Sequence, residues 1–357
     1  MEPFLGERYG NASSAHALGR SARAALEEAR ERVARALGAD RPEIVFTGGG
    51  TEADNLAVLG RWRAARSGVA VTAIEHSAVL EAAAQAAREG GAVTVLAVDE
   101  NGLLDEGALR EALEAPQSVV SVMWGNNEVG TVQDVSRIAD LCREQGAVFH
   151  TDAVQAVGHV PVSVADAGCD LLAISAHKVG GPQGVGALFV RQGTELEPLI
   201  RGGGQESGLR AGTANVAGAV GMAVALEQAT GELSTAPARL AGLRDRLEAI
   251  LTECVPEIQV HGPRDSRLPH ILSVGLDGVE PDLLLPALDL EGLAISSGSA
   301  CHTGASTPSP VLLAMGIQRD TVIRFSLGWN TRDDDVETAA STFGRVVERV
   351  RAAGGVP

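Results

Sequence analysis

Short apolar runs alternate with amphipathic stretches along the first part of the chain. Runs of strand length, rich in Val, Ile, Leu and Phe, end at Thr47, Met123, Phe149 and Ile174. Between two of them, over residues 135–145, apolar residues recur at the period of a helix that buries one face. This pattern predicts an α/β domain. In an open α/β sheet, ligands collect at the carboxyl ends of the strands.

A second, smaller domain follows. Residues 231–237, Gly-Glu-Leu-Ser-Thr-Ala-Pro, are rich in turn formers, and a further helix and strands near Ile271 and Arg324 come after them. A chain of 357 residues is long enough for two domains. We therefore predict a large domain over residues 1–236 and a small α+β domain over residues 237–357.

Two polar groups of the large domain carry the candidate chemistry. Asp152, in His-Thr-Asp-Ala-Val-Gln, and Lys178, in Ser-Ala-His-Lys-Val-Gly-Gly-Pro, each lie just past a strand-length run. Pyridoxal 5'-phosphate requires such a pair, since its aldehyde condenses with a lysine amine and its ring nitrogen stays protonated beside a carboxylate. A loop lysine is often only solvated, but here an acid, a glutamine, a serine and a histidine accompany it.

Three glycines, Gly48-Gly49-Gly50, follow the first strand and precede a helix. Glycines at a helix start let the backbone approach an anion, and the free N–H groups with the helix dipole stabilise a phosphate there. Thr51 adds a hydroxyl group. On its own this stretch could be a plain turn. It matches neither G-x-G-x-x-G nor the P-loop, which disfavours nicotinamide-dependent and ATP-dependent enzymes.

Charge and cysteine usage narrow the functional classes. The chain has 29 basic and 46 acidic residues, a formal net charge of −17, and few aromatic residues, so we expect no nucleic-acid binding. Its four cysteines form no C-x-x-C pair, which argues against a disulfide framework and a metal site. The sequence shows no signal peptide and no apolar run long enough to span a membrane. We expect a reduced, cytoplasmic protein that does not bind membranes.

Three motifs point to a family. They are Phe-Thr-Gly-Gly-Gly-Thr-Glu-Ala-Asp-Asn (residues 46–55), Ser-Ala-His-Lys-Val-Gly-Gly-Pro-Gln-Gly-Val-Gly (175–186) and Ser-Ser-Gly-Ser-Ala-Cys (296–301). In these motifs the chain resembles the cysteine desulfurases, and the resemblance runs from about Tyr9 to Asn330. It implies a homodimer with the fold of the pyridoxal-phosphate-dependent transferases (fold type I, class V aminotransferases). That fold has a large mixed-sheet domain and a smaller C-terminal α+β domain.

The resemblance also implies the cofactor contacts. Lys178 would carry the cofactor, Asp152 would face its ring nitrogen, and His76 would stack on its ring. The implied phosphate ligands are Gly50, Thr51, Ser175 and His177. Asn127 and Gln155 would lie near the phenolic oxygen, and Thr213 would reach the phosphate bound by the partner subunit. Without the family, a histidine at the position of His76 is more often structural, and paired asparagines usually cap turns.

Two residues of the small domain complete the expected site. Cys301 lies in a small, polar segment rich in turn formers, where an exposed thiol can act as a nucleophile. The remaining cysteines, Cys142, Cys169 and Cys254, suit core positions. The family uses the arginine aligned with Arg324 to bind the substrate α-carboxylate through two parallel hydrogen bonds. The plain alternative is an edge-strand arginine that faces water.

The implied reaction is cysteine desulfuration. Lys178 would remove the α-proton of L-cysteine, and Cys301 would take the sulfur as a persulfide while L-alanine leaves. An acceptor or scaffold protein, as in iron–sulfur cluster assembly, would then receive the sulfur. His302, where the family usually has threonine, and the Pro-Ser-Pro that follows are also similar to the selenocysteine lyases. That activity, an aminotransferase and a non-catalytic scaffold of the same fold are the alternatives.

One family segment is not found in the sequence. In the family, a strand and an Asn-Ala-Ala-Thr-Thr-like motif precede the loop that corresponds to residues 7–16, and this segment helps to line the substrate entrance. We expect either residues upstream of Met1 or a differently built wall to take its place.

Overall fold

The computed structural model describes residues 1–297, 309–319 and 321–354. The chain divides into two compact units. The large unit comprises Met1–Ala97, Leu104–Gly125 and Gln133–Leu233, and the small unit comprises Val98–Leu103, Asn126–Val132 and Ser234–Pro357. The domain limits drawn from the sequence stay a prediction.

A mixed sheet of seven strands forms the centre of the large unit, as far as the described residues extend. In spatial order the strands are β1 (Ile44–Thr47), β7 (Gly186–Val190), β6 (Leu171–Ser175), β5 (Val148–Asp152), β4 (Gln117–Ser121), β2 (Gly68–Thr72) and β3 (Val93–Leu96). The pairs from β6 to β3 are parallel, whereas β7 runs antiparallel to β6 and to β1. Strands β6 and β7 are buried at every position, which explains why both read as continuous apolar runs.

Helices surround this sheet. They are α1 (Glu2–Leu5), α2 (Ala17–Leu37), α3 (Gly50–Asn55), α4 (Arg61–Ala65), α5 (Ser77–Arg88), α6 (Glu106–Ala112), α7 (Val135–Glu144), α8 (Val164–Ala167) and α9 (Val216–Gly231). A π-helical turn, Leu56–Gly60, joins α3 to α4. Helix α2 follows the amphipathic rule: it buries one face that includes Ala22, Leu26 and Val33, and Gly38 ends it in the left-handed conformation.

The small unit contains an antiparallel sheet of four described strands. Their order is β10 (Ser296–Ser297), β11 (Thr321–Ser326), β9 (Ile271–Leu276) and β8 (Gln259–His261). Its helices are α10 (Ala236–Cys254), α11 (Pro281–Leu290), α12 (Pro310–Ala314) and α13 (Asp333–Gly354). An apolar core that includes Leu247, Leu272 and Phe343 joins sheet and helices. The predicted fold class, a mixed-sheet α/β domain with a smaller α+β one, is confirmed.

Within the described residues, no helix has the length and apolar character that a membrane crossing requires.

Candidate active site

The carboxyl ends of β5 and β6 bring Asp152 and Lys178 to one edge of the large sheet. The two strands run parallel, with Asp152 opposite Ala173. Asp152 is the last residue of β5 rather than a residue just past it, because the strand continues beyond the apolar run that ends at Phe149 and its ladder to β6 extends through Asp152. Lys178 lies in the 3-10 turn Ala176–Val179 that follows β6. This edge is where an α/β sheet binds its ligands.

Asp152 is buried and interacts electrostatically with two basic side chains. Burial raises the pKa of its carboxyl, and the hydrogen bond from the Val154 N–H to Oδ1, 2.8 Å long, acts against that rise. The charges of His76 and Lys178 act in the same direction as the hydrogen bond. A cationic ring nitrogen bound here would stabilise the ionised carboxylate further.

Lys178 has a further property that the motif does not convey. It is exposed, and it is the only lysine in the sequence, where every other long cationic side chain is an arginine. An arginine does not lose its proton in proteins, so only Lys178 and the N-terminus can offer a neutral amine to an aldehyde. This signal was present in the sequence and strengthens the assignment of Lys178.

A cavity of about 620 Å³ lies beside this edge. It is lined by Gly48, Gly49, Gly50, Thr51, Glu52, Asn55, Ser175, His177, Gln183 and Gly184. A side chain at Gly50 would force Val154 to move, because a Cβ there would lie 2.8 Å from one of its methyl groups. The Ser175 hydroxyl lies 2.9 Å from the His177 ring nitrogen Nδ1. Glycine backbone, two hydroxyl groups and an imidazole fit a bound phosphate.

The structure therefore brings most of the predicted large-unit residues together. Gly50, Thr51, Ser175 and His177 line one cavity, and Asp152 interacts with His76 and Lys178. His76 also begins α5, where its Nδ1 accepts a hydrogen bond from the Ala78 N–H at 3.1 Å. The two other predicted contacts of this unit are Gln155, half-buried just after β5, and Thr213, exposed on the segment that precedes α9.

A buried acidic cluster next to Asp152 was not predicted. Glu75 is 2% exposed, and its Oε1 accepts hydrogen bonds from the Thr72 hydroxyl at 2.8 Å and from the Met123 N–H at 2.7 Å. Burial raises the pKa of Glu75 to about 8. Burial, together with the negative charges of Asp152 and Glu75, raises the pKa of Asp54 well above its usual range. At neutral pH the Glu75 carboxyl is therefore mostly protonated, and ionisation of Asp54 is disfavoured.

His150 borders this cluster from β5. Burial lowers the pKa of His150 to about 3, so its ring is neutral. Its Nδ1 lies 2.8 Å from the Ser121 hydroxyl, and its Nε2 lies 3.6 Å from Oδ1 of Asp54. The neutral His150 ring and the raised pKa values of Asp54 and Glu75 disfavour charge on these three groups, whereas His76 and Lys178 favour the ionised form of Asp152.

We expect the Glu75→Gln variant to show that this carboxyl is protonated. The folded-state pKa of about 8 exceeds the ordinary 4.5, so the folded state binds the extra proton between these values. The stability that Glu75 contributes is therefore complete below about pH 4.5. It falls by up to about 1.4 kcal/mol per pH unit as the pH rises toward 8. The free energy of unfolding of wild type minus that of Glu75→Gln should decline over this range in urea titrations.

The exposed Glu81, on α5, supplies the matched control. The difference between wild type and Glu81→Gln should stay constant over the same range. A difference between wild type and Glu75→Gln that stays constant or grows with pH would show that Glu75 is ionised in the folded protein.

The small unit holds the remaining described site residues. Arg324 lies on β11, between β10 and β9, so the edge-strand alternative is wrong for it. Its Nη1 donates a hydrogen bond of 2.8 Å to the carbonyl oxygen of Asn127. Burial raises the pKa of the adjacent Glu128 to about 7, and this carboxylate accepts a hydrogen bond of 2.6 Å from the Ser309 hydroxyl.

Only two of the three cysteines that were predicted to lie in the core are buried. Cys142 and Cys169 are buried as expected, and burial raises the pKa of each thiol to about 12. Cys254 is exposed, which corrects the core position predicted for it, because it is the last residue of α10, where the helix ends at the surface. Cys301 and His302 lie outside the described residues. Among those residues, no group of three or more potential ligands is arranged to hold a metal ion.

Comparison with known proteins gives concordant results. The family model described as "Aminotransferase class-V" matches residues 1–338. A cysteine desulfurase IscS of Dictyoglomus turgidum is 42% identical, over 98% of this chain and 91% of that protein. A solved NifS-like protein superposes with a TM-score of 0.89 at 34% identity, over 98% of this chain and 94% of that one. The structure of SspA in complex with cysteine superposes with a TM-score of 0.77 at 34% identity, over 91% of this chain and 93% of that one.

Proposed function

The chain belongs to the class V aminotransferase family and is a pyridoxal-phosphate-dependent cysteine desulfurase, and we propose that it works through a persulfide on Cys301. In this proposal it converts L-cysteine to L-alanine and passes the sulfur to an acceptor protein. The observation that carries the site assignment is the position of the only lysine, directly after β6 and in electrostatic contact with the buried Asp152.

Each proposed cofactor contact has a physical basis in the large unit. Lys178 is the amine for the aldehyde, Asp152 is the carboxylate for the ring nitrogen, and His76, which interacts with Asp152, is the aromatic ring for stacking. Thr51, Ser175 and His177, with the backbone at Gly50, would bind the phosphate in the cavity that they line. Asn127 and Gln155 are proposed as the contacts of the phenolic oxygen region. When bound, the cofactor supplies an electron sink for breaking the bond between the α-carbon and its hydrogen.

The chain's own residues then have distinct tasks. The Lys178 amine takes the α-proton, as a general base does. Arg324 binds the substrate carboxylate, and its hydrogen bond to the Asn127 carbonyl fixes the guanidinium. The Cys301 thiolate attacks the substrate sulfur, so that the new sulfur–sulfur bond forms while the carbon–sulfur bond breaks and protonation of the carbon fragment gives alanine.

The proposal also covers assembly and location. We place Thr213 against the phosphate bound by the partner subunit of a homodimer, which agrees with its exposure on the segment before α9. An acceptor or scaffold protein would receive the sulfur, as the curated relatives' name, IscS, suggests for iron–sulfur assembly. The cytoplasm is the proposed location, since four dispersed cysteines do not form a disulfide framework.

The deciding experiment is a product assay with purified, cofactor-loaded protein, L-cysteine and a reductant. We expect equal amounts of sulfide and alanine, because each carbon–sulfur cleavage yields one of each. L-selenocysteine is assayed alongside. Turnover of selenocysteine alone would replace the proposal with a selenocysteine lyase. If a protein that binds the cofactor turned over neither substrate, it would be a non-catalytic member of the fold.

A further inference from the structure

Residues 201–215, which we call the clamp segment, are bound to both ends of the phosphate turn, residues 48–51. The first contact is made by Glu206. Its carboxylate accepts two hydrogen bonds from Arg30 of α2, at 2.6 and 2.8 Å, and one from the Phe46 N–H at 2.9 Å. Only 6% of the Glu206 side chain and 10% of the Arg30 side chain are exposed. The segment is thus tied to β1 two residues before the turn begins.

The second contact lies on the other side of the turn. Arg210 donates hydrogen bonds to both carboxylate oxygens of Glu52, at 2.8 and 3.3 Å. Glu52 Oε2 also accepts a hydrogen bond of 2.8 Å from the Gly48 N–H, the first N–H of the turn. Glu52 lines the same cavity as Thr51 and Ser175. Its charge would repel a phosphate there if Arg210 did not neutralise it.

Apolar packing also holds the segment here, since Leu209 packs against the core cluster that contains Val45, Ala53 and Leu56. A small cavity of about 50 Å³ lies between the segment and the turn, and its lining includes Phe46, Gly48, Glu206 and Arg210. The two ion pairs add polar connections across this space. They join positions that are 176 and 158 residues apart in the sequence.

The backbone of the clamp segment is strained at the first contact. Glu206 has φ +47° and Ser207 has φ +55°, so two consecutive residues other than glycine adopt the left-handed conformation. Such residues cost free energy and persist when their surroundings hold them. The three hydrogen bonds to the Glu206 carboxylate supply that restraint. A loop that served only as a connection would not need it.

We propose that Glu206 and Arg210 are positioning residues that hold the phosphate turn in its binding shape and thereby set the affinity for the phosphate of the cofactor. The inference rests on the proposed function, since that function supplies the phosphate. Arg210 acts through Glu52, and Glu206 acts through β1, so neither needs to touch the ligand. The two pairs should affect the phosphate contact alone and leave the contacts of the cofactor ring unchanged.

The test compares pyridoxal phosphate with pyridoxal, which lacks the phosphate, by visible absorbance titration of cofactor-free protein. Because Lys178 is the only lysine, the titration reports one side chain besides the N-terminus. We expect Arg210→Gln to raise the Kd of pyridoxal phosphate about 10-fold or more, the usual effect of losing a charge-assisted pair. The Kd of pyridoxal should stay within about twofold.

The double variant Glu52→Gln/Arg210→Gln isolates the charge. If the unpaired Glu52 carboxylate repels the phosphate, removing it should restore most of the lost affinity. Glu206→Gln should weaken pyridoxal phosphate binding in the same selective way. Arg201→Gln is the control, since Arg201 pairs with Glu197 at the exposed start of the same segment. It should bind both ligands like wild type.

Three results would overturn the proposal. One is an unchanged pyridoxal phosphate Kd in folded Arg210→Gln, and another is an equal loss of affinity for pyridoxal, which would make the pairs merely structural. Arg210 and Glu52 are partly exposed, so this variant should fold even if Glu206→Gln does not. The third is a wild-type protein that binds no pyridoxal phosphate, which would refute the proposed function at the same time. If wild type binds pyridoxal phosphate and the variants bind it equally well, only the positioning role of Glu206 and Arg210 would be refuted.

Discussion

Replacing Lys178 with alanine is expected to lower the kcat for sulfide release from L-cysteine by about 10⁴-fold, the upper range for loss of a general base. Lys178 is the only lysine, and every arginine remains protonated, so no other long cationic side chain can take the α-proton in its place. Because the side chain is exposed, its removal leaves no buried cavity and should not lower the free energy of unfolding appreciably.

Two measurements connect the effect to the amine. Borohydride reduction of cofactor-loaded wild type, followed by peptide mass mapping, should place the cofactor on the peptide that contains Lys178, and Lys178→Ala should show no label there. Added methylamine should restore part of the activity of Lys178→Ala, because it can enter the space of the lost side chain. It should not restore Lys178→Arg, where that space is filled. Substantial activity in either variant without added amine would refute the role of Lys178 as base.

The strands were predictable because burial on both faces gives unbroken apolar runs. Strand β6 corresponds to such a run, whereas in β5 the apolar residues give way to His150, Thr151 and Asp152 within the strand. The polar residues at the carboxyl ends of both strands mark the edge that binds ligands. The order of the strands was not predictable in the same way. A run of apolar residues does not state its neighbours or its direction, so the antiparallel placement of β7 between β6 and β1 required the structure.

The site divides along a similar line. Lys178, Asp152 and Thr51 belong to local motifs, from which they were predicted as site residues. Glu75 and Asp54 did not stand out, because a carboxyl group usually indicates an exposed position and only the fold shows that these two are buried.

The long-range ion pairs could not be predicted from the sequence, and the reason is different. Glu206 and Arg210 lie in a glycine-rich stretch typical of a plain connection, and their partners are far away in the chain. Spacing rules describe neighbours on one helix or strand, so they contain no information about such pairs. The contacts of the clamp segment could therefore be identified only from the structure.

Replacing Cys301 with alanine is expected to abolish sulfide release from L-cysteine, with a loss of at least about 10⁴-fold, since removing an enzyme's nucleophile usually costs this much or more. The substrate sulfur then has no acceptor, so the carbon–sulfur bond does not break. Cofactor binding should be unchanged, because the proposed cofactor contacts do not include Cys301. Sulfide assay and visible absorbance measure the two properties separately.

The exposed thiol of Cys254 provides a control that separates the reactivity of a thiol from its exposure to solvent. Cys254, at the end of α10, is an exposed residue, but partial desolvation of its sulfur raises the pKa of the thiol, so the reactive thiolate is disfavoured. Cys254→Ala should therefore keep wild-type turnover. Wild type incubated with L-cysteine without reductant should gain one sulfur atom on the peptide that contains Cys301, and Cys301→Ala should gain none. Turnover that survived in Cys301→Ala would argue for an aminotransferase, which needs no thiol, because proton transfer by Lys178 alone suffices for that reaction.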